Sequence, residues 1–384
     1  MKQALEGIKV LDFSRVLAGP YCTMMLADMG AEVIKIERPE LGDDTRHFGP
    51  FQNGESGYFM YLNRNKKSVE LNLKDPSDRE ILLDLVREAD VIVENFRPGV
   101  MEKLELDYES LKKVNEGIIY CSISGFGQYG PLKERPAYDL IAQAIGGIAS
   151  ITGYPDGPPT KTGASIGDMS AALYATIGIM TALFHRERTG VGQAIDIAMV
   201  DTIYALLEHN VMRYTCEGIV PERVGNRHPI SAPFDIYKCK DDYVAITTAN
   251  EPLFERLCKL MDKEELLEDE RFNTDINRGI HEKELKEILE SWLADYTADK
   301  AVEMINGAGV PCSKIYNIAE ISESEHIKER EMLLEIDHPV AGRTRIPGNP
   351  VKLSETPPRI VTPSPALGAH NVIYKSKDKA GGRK

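Results

Sequence analysis

The sequence predicts an α/β protein: a Rossmann-like large domain with a parallel sheet, plus a smaller α+β domain. Two observations predict it. Strand and helix signals alternate over the first ~125 residues, which implies parallel strands joined by crossover helices that cover both faces of the sheet. A stretch rich in Gly, Pro and Arg at 217–233 is then followed by a new strand and an acidic helical region, the mark of a second domain.

Ile8 to Phe13 reads as the first strand, Tyr21 to Met29 as a helix stopped at Gly30, and Glu32 to Glu37 as the second strand. Ser68 to Leu73 is the third strand. Pro76 to Ala89 follows as a helix with proline where a helix start tolerates it. Asp90 to Glu94 is the fourth strand, Tyr108 to Asn115 a short helix, and Ile118 to Ile123 the fifth strand. An apolar helical stretch carried by Ala171, Leu173, Ala175, Ile177, Ile179 and Leu183 runs to Gly190, which reads as a C-cap. Ala194 to Met199 and Thr202 to Tyr214 add a strand and a helix. Tyr243 to Thr248 is a strand leading into a helix at Glu251 to Met261 and an acidic helical region ending at Asp295. The tail from Pro339 alternates short strands with proline-rich turns. It ends in a basic stretch, Lys375 to Lys384, expected to be a solvated terminus.

The 384 residues suffice for two domains with sizeable cores. A hydrophobic fraction of 42% and a charged fraction of 28% are ordinary globular usage. The net charge of −14 argues against binding to nucleic acid or to an anionic membrane, while leaving room for a local basic pocket. No run reaches the roughly 18 consecutive apolar residues of a membrane span, and Met1 to Gly7 has no apolar run of signal-peptide length. The six cysteines are scattered without CxxC and the eight histidines without HxxxH or HxH. Neither a disulfide scaffold nor a metal site is expected. The expectation is a cytoplasmic protein with no metal and no tightly bound cofactor.

Ligands of doubly wound sheets bind at the carboxyl ends of the strands, near the point where strand order reverses. A dinucleotide requires GxGxxG after the first strand. The turn Ser14 to Pro20 holds one glycine, and Pro20 lacks an N–H that pyrophosphate needs, so NAD is not expected. Arg38, just past the second strand, reads either as a clamp on a ribose phosphate or as a surface residue paired with Glu37 or Glu40. In Glu94 to Gly99, Asn95 offers a donor and an acceptor to a base and Phe96 a stacking face. Arg97 and Lys103 add positive charge, although a Pro-Gly turn after a strand is by itself only a turn. These five residues share one predicted sheet edge, which suits an adenine nucleotide with extra phosphate. Asp168 stands after the small-residue loop Gly163 to Gly167. It reads either as the N-cap of the following helix or as a carboxylate, kept ionised by the helix dipole, that attacks an acyl carbon.

The runs Leu5 to Phe13, Ala18 to Pro20, Gly30 to Glu37, Gly42 to Arg46, Glu94 to Gly99, Ser124 to Gly127, Gly167-Asp168 and His185 to Gly190 occur in order, with Thr152-Gly153 and Gly157 to Pro159 between them. On these runs the chain, from residue 5 to about 370, resembles the class III (formyl-CoA transferase-like) CoA-transferases. The resemblance implies that Asp168 is the nucleophile. It implies that Leu17, Ala18, Arg38, Leu71, Asn72, Leu73, Lys74, Asn95, Phe96, Arg97, Lys103, Pro136, Ala137, Tyr138 and Asp139 line the CoA site. It also implies two domains joined by long linkers, in an interlocked homodimer. The large domain then spans 1–190, completed by about 358–384, with a linker at 191–224, the small domain at 225–318 and a return linker at 319–357.

Lys103 stands where many members carry Arg, which keeps charge but loses bidentate geometry. Leu17 stands where formyl-CoA transferase has Gln, and the Gly-rich loop over that enzyme's active site is missing from 225–240. Both departures count against formyl-CoA:oxalate exchange as the main reaction. Gly225 to Pro229 followed by Ala232 to Asp235 most resembles the bacterial members that use acetyl-CoA and oxalate. The expected reaction moves CoA from a small acyl-CoA to a small carboxylate. The donor is acetyl-CoA, with formyl- or succinyl-CoA as alternatives, and the acceptor is oxalate, with citramalate or mesaconate as alternatives. A 2-methylacyl-CoA racemase is the rival enzyme, but the His it needs is absent from Ala137 to Leu140. A non-catalytic CoA binder is expected to lack the carboxylate. His228, between Arg227 and Pro229 in a loop, reads as structural.

Overall fold

The structure, a computed structural model, describes residues 2–375. All but the first residue of the basic stretch Lys375 to Lys384, and with it the end of segment 358–384, lies outside the described residues. Six strands form one parallel sheet: β1 (Lys9–Asp12), β2 (Glu32–Glu37), β3 (Lys66–Glu70), β4 (Val91–Glu94), β5 (Ile119–Ser124) and β6 (Ala194–Ala198). They lie in the order β3-β2-β1-β4-β5-β6. In register, Leu11 faces Ile34 on one side and Ile92 on the other. Strand order thus reverses between β1 and β4, and the crevice beyond their carboxyl ends is where such sheets hold ligands.

Successive strand residues point to opposite faces, so two cores form. Val10, Val33, Val91, Val93 and Ile119 pack with α1 (Ala18–Asp28) on one face. Leu11, Ile34, Ile92, Ile118 and Tyr120 pack on the other, against Leu82, Leu85 and Val86. After α2 (Gly57–Leu62), the helix α3 (Pro76–Glu88) begins as its sequence directs, with Pro76 in the first turn and Asp75 capping Ser77 and Asp78. Helix α1 starts three residues before the expected Tyr21, because the first turn accommodates Pro20. Gly19 is required there, since a Cβ would stand 2.1 Å from the Ser14 Cβ. Strand β3 begins at Lys66, earlier than Ser68, because the Lys66 ammonium is buried against Asp12 at 3.0 Å. The strand ends at Glu70, and the Leu71 N–H still donates to the Glu37 carbonyl of β2 at 2.9 Å.

Next come α4 (Asp139–Ile145), α5 (Ile166–Thr189) and α6 (Met199–Ala205). Helix α5, with a mean hydropathy of 1.4 in its most apolar window, is long and apolar enough to cross a membrane by composition. Here Ala171, Ala172, Ala175, Ile179 and Ala182 of that helix are buried in the core beside α1. Small side chains allow that close approach. Residues 191–224 contain the expected strand as β6 (Ala194–Ala198), then α6 and a helix at His209–Glu217. The expected single helix Thr202 to Tyr214 is broken where Glu208 takes φ +48. Residues 319–357, expected as a return linker, carry an antiparallel hairpin pairing Leu333–His338 with Gly342–Pro347. The Arg64 guanidinium, wholly buried, pairs with Asp28 at 2.7 Å and donates to the Pro347 carbonyl, which ties the hairpin's end to α1.

The chain divides into two units. The first holds residues up to 148, 161–212 and those from 325 onward; the second holds 149–160 and 213–324. Within the second, three antiparallel strands, Phe234–Lys238, Tyr243–Thr247 and Cys312–Lys314, pack on helices around Phe254, Leu257, Phe272 and Leu289. Arg278, fully buried there, pairs with Glu251 at 2.8 Å and donates to the Ala232 carbonyl at 2.7 Å.

Candidate active site

A buried charge layer fixes the loops that leave β1 and β2. The Lys35 ammonium lies 2.9 Å from Asp43 and donates to the Ser14 carbonyl at 2.8 Å. Lys66 donates to Asp12, and burial brings its pKa down to about 8. The guanidinium of Arg46 binds both oxygens of Glu37. Every charge in this layer has an opposite partner, the condition under which buried ions are tolerated.

The loop after β1 carries Val16 at φ +67, a strained conformation for a β-branched residue. Asn95, at the end of β4, holds it in place. Its Oδ1 accepts the Arg15 N–H at 2.9 Å and its Nδ2 donates to the Arg15 carbonyl at 2.8 Å. The amide read from sequence as a partner for a base thus also holds the backbone of the neighbouring loop. The Arg15 guanidinium stands 5.6 Å from the Phe96 ring centre.

Two cavities open at these strand ends, and Arg15 and Phe96 line both. The larger, about 430 Å³, is walled by Arg38, Leu71, Asn72, Leu73 and Lys74 together with Phe13, Ile36 and Pro39. Cations and apolar side chains together suit a nucleotide that carries phosphate. Arg38 pairs with neither Glu37 nor Glu40; it donates to Asp44 at 2.5 Å and to the Gly42 carbonyl at 3.0 Å. The smaller cavity, about 190 Å³, is walled by Leu17, Ala18, Asn95, Phe96, Arg97, Ala137, Tyr138 and Asp168, with Lys133 and Arg135 at its rim. Lys103 is exposed and, like Pro136, lines neither cavity. Among the described residues no three His, Cys, Asp or Glu side chains cluster to hold a metal ion.

Asp168 is the third residue of α5, not its N-cap, which is Ser165. Its carboxylate, half-buried, accepts no hydrogen bond among the described residues. Burial, and then the Asp139 carboxylate, raise its pKa to about 7. The helix dipole favours the ionised form, but desolvation and a like charge outweigh it. Near pH 7 the carboxylate is poised between its two forms. Burial of Tyr58 on α2, and then the charges of Asp168, Asp43 and Asp139, push its phenol up to about 12. Arg15, Lys133, Arg135 and Tyr58 were missed from sequence. Only Arg15 had a usable signal, a cation directly after the first strand.

The chain belongs to CoA-transferase family III, whose profile matches residues 5–371, and it is a CoA-transferase. Among its relatives, it is 45% identical over 354 residues to an acetyl-CoA:oxalate CoA-transferase of Acetobacter aceti, covering 92% of this chain and 90% of that protein. It is 42% identical over 388 residues to a succinyl-CoA:mesaconate CoA-transferase of Haloarcula hispanica, covering 98% and 96%. A CAIB/BAIF family protein from Brucella suis superposes with a TM-score of 0.86 at 37% identity, over 98% of this chain and all of that one.

Proposed function

We propose that the protein moves CoA from a small acyl-CoA, acetyl-CoA first among them, to a small dicarboxylate, oxalate first among them, through covalent intermediates on Asp168. The observation that carries this reading is an unpartnered, half-buried carboxylate in a cavity that shares a wall with a cationic, apolar nucleotide-sized cavity. The relatives named for oxalate and mesaconate support a dicarboxylate acceptor.

The ionised Asp168 attacks the thioester carbonyl, and the C–S bond breaks to give a mixed anhydride and CoA thiolate. The thiolate attacks the Asp168 acyl carbon, forming an aspartyl-CoA thioester and releasing the first acid. The acceptor carboxylate attacks that thioester, giving a second anhydride and thiolate. The thiolate then takes the acceptor's acyl carbon and frees Asp168. Each nucleophile is already an anion, so no strong base is needed. Holding the thiolate by its nucleotide beside the anhydride contributes roughly 7–11 kcal/mol in favourable cases.

A second copy of the chain completes the assembly in this reading, as the family resemblance implies. Leu173, Ile177, Met180 and Phe184 form an apolar stripe along α5 that stays exposed, Ile177 and Phe184 at 60% each. Such a stripe is unfavourable in water unless covered. The test of the reaction is incubation with acetyl-, formyl- or succinyl-CoA and a panel of mono- and dicarboxylic acids, with CoA esters followed by mass spectrometry. Formation of oxalyl-CoA supports the proposal; no new ester from any acid rejects it.

A further inference from the structure

The resemblance places Asp139 among CoA contacts, yet both oxygens of its carboxylate are engaged within the protein. Oδ1 accepts the Gly167 N–H at 2.8 Å, and Oδ2 accepts from the Gln143 amide at 2.7 Å. Gln143, fully buried, accepts the Thr162 N–H through Oε1 at 2.9 Å. These contacts join α4 to both ends of the loop that presents Asp168. Ser165 makes no side-chain cap, so Asp139 satisfies a free N–H of the first turn of α5 from a neighbouring helix. The fit is close: a Cβ on Gly167 would stand 3.1 Å from Asp139 Oδ1 and from Ile203 Cδ1.

We infer that Asp139 is a positioning residue that holds the Gly167–Asp168 peptide and so aims the Asp168 carboxylate at the acyl carbon, with Gln143 and Thr162 fixing it in turn. The inference rests on the reading of Asp168 as the nucleophile. Its charge has a second effect, because a carboxylate so close opposes ionisation of Asp168. The other titratable and charged groups around it are Tyr58 of α2 and, lining the same cavity, Arg15, Arg97, Lys133, Arg135 and Asp44. Removing the Asp139 charge removes that opposition and leaves burial alone to hold the Asp168 midpoint up, so the midpoint falls.

The experiment compares wild type with Asp139→Asn, Asp139→Ala and Asp168→Ala in kcat and KM across pH, with thermal melting and CoA calorimetry on each. Asp139→Asn keeps an acceptor for the Gly167 N–H, so its kcat stays within about tenfold while its acid-limb midpoint moves down by about one pH unit. Asp139→Ala loses about ten- to a hundredfold in kcat, with acyl-CoA KM and CoA Kd within about twofold of wild type. Wild-type kcat and pH profile in Asp139→Ala, or a loss confined to acyl-CoA KM, overturns the inference. Should the alanine variant not fold, the midpoint of the asparagine variant decides: an unmoved midpoint overturns it. An inactive Asp168→Ala beside an unaltered Asp139→Ala sinks this inference alone; full turnover by Asp168→Ala sinks the nucleophile reading beneath it.

Discussion

Asn95 grips Arg15 by both ends of one peptide-like pair, accepting its N–H at 2.9 Å and donating to its carbonyl at 2.8 Å. The clamp crosses the switch point of the sheet, from the end of β4 to the loop after β1. It holds in place the residue whose side chain lines both cavities and the strained Val16 beside it.

Asn95→Ala removes two hydrogen bonds worth about 1 kcal/mol each, and the loss falls on the shared wall. The acyl-CoA KM rises about tenfold or more, at roughly 1.4 kcal/mol per decade, while kcat at saturation changes little. Steady-state kinetics with varied acyl-CoA checks this. An unchanged KM would show that the clamp does not shape the nucleotide wall.

The first chemical step needs Asp168 as an anion, and its pKa in the folded protein is raised to about 7. The kcat/KM for acyl-CoA, which reports the free enzyme, therefore climbs with pH through a midpoint near 7. The folded protein holds this proton more tightly than the unfolded chain does. The group therefore favours folding at low pH, and that stability is lost as pH rises from the ordinary carboxylate range toward 7. Asp168→Asn lifts the penalty, so its Tm gain over wild type is larger at pH 8 than at pH 5. A gain that shrinks with pH contradicts the raised value.

The sheet was legible because its strands are β-branched runs whose neighbours alternate between two cores. β3 was harder to read, since Lys66 and Lys67 look like surface charges until Asp12, on another strand, is known to meet the first of them. Asp168 was legible from a loop of small residues running into an apolar helix. What acts on Asp168 was not, because the partners are distant in sequence: Asp139 meets Gly167 across 28 positions, and Asn95 meets Arg15 across 80. Desolvation of Asp168, which reverses the expected direction of its pKa, depends on the packing of α2, α4 and α5 and has no local signature.

Asp28 and Arg64 are both wholly buried, and the pair also binds Asn65, Asn349 and the Pro347 carbonyl. Asp28→Ala strands a buried guanidinium and lowers stability by about 3–5 kcal/mol. The double variant Asp28→Leu, Arg64→Met loses less than the single one, because no charge remains unpaired. Urea unfolding of the three proteins checks the order.

A chain of 42.8 kDa covering the α5 stripe with a second copy runs at twice that mass in light scattering. Ile177→Lys places a charge in the stripe and lowers Tm or drives aggregation. A monomeric wild type, or a fully tolerated Ile177→Lys, removes the case for that surface as the contact.

The central claim is that Asp168 is covalently acylated during turnover. Wild-type protein mixed with acetyl-CoA, quenched rapidly and treated with hydroxylamine or borohydride, should yield a modified peptide whose mass change maps to Asp168. The same treatment of Asp168→Ala should leave that peptide unmodified and the protein inactive. Turnover by Asp168→Ala, or a trapped adduct on any other residue, contradicts the account.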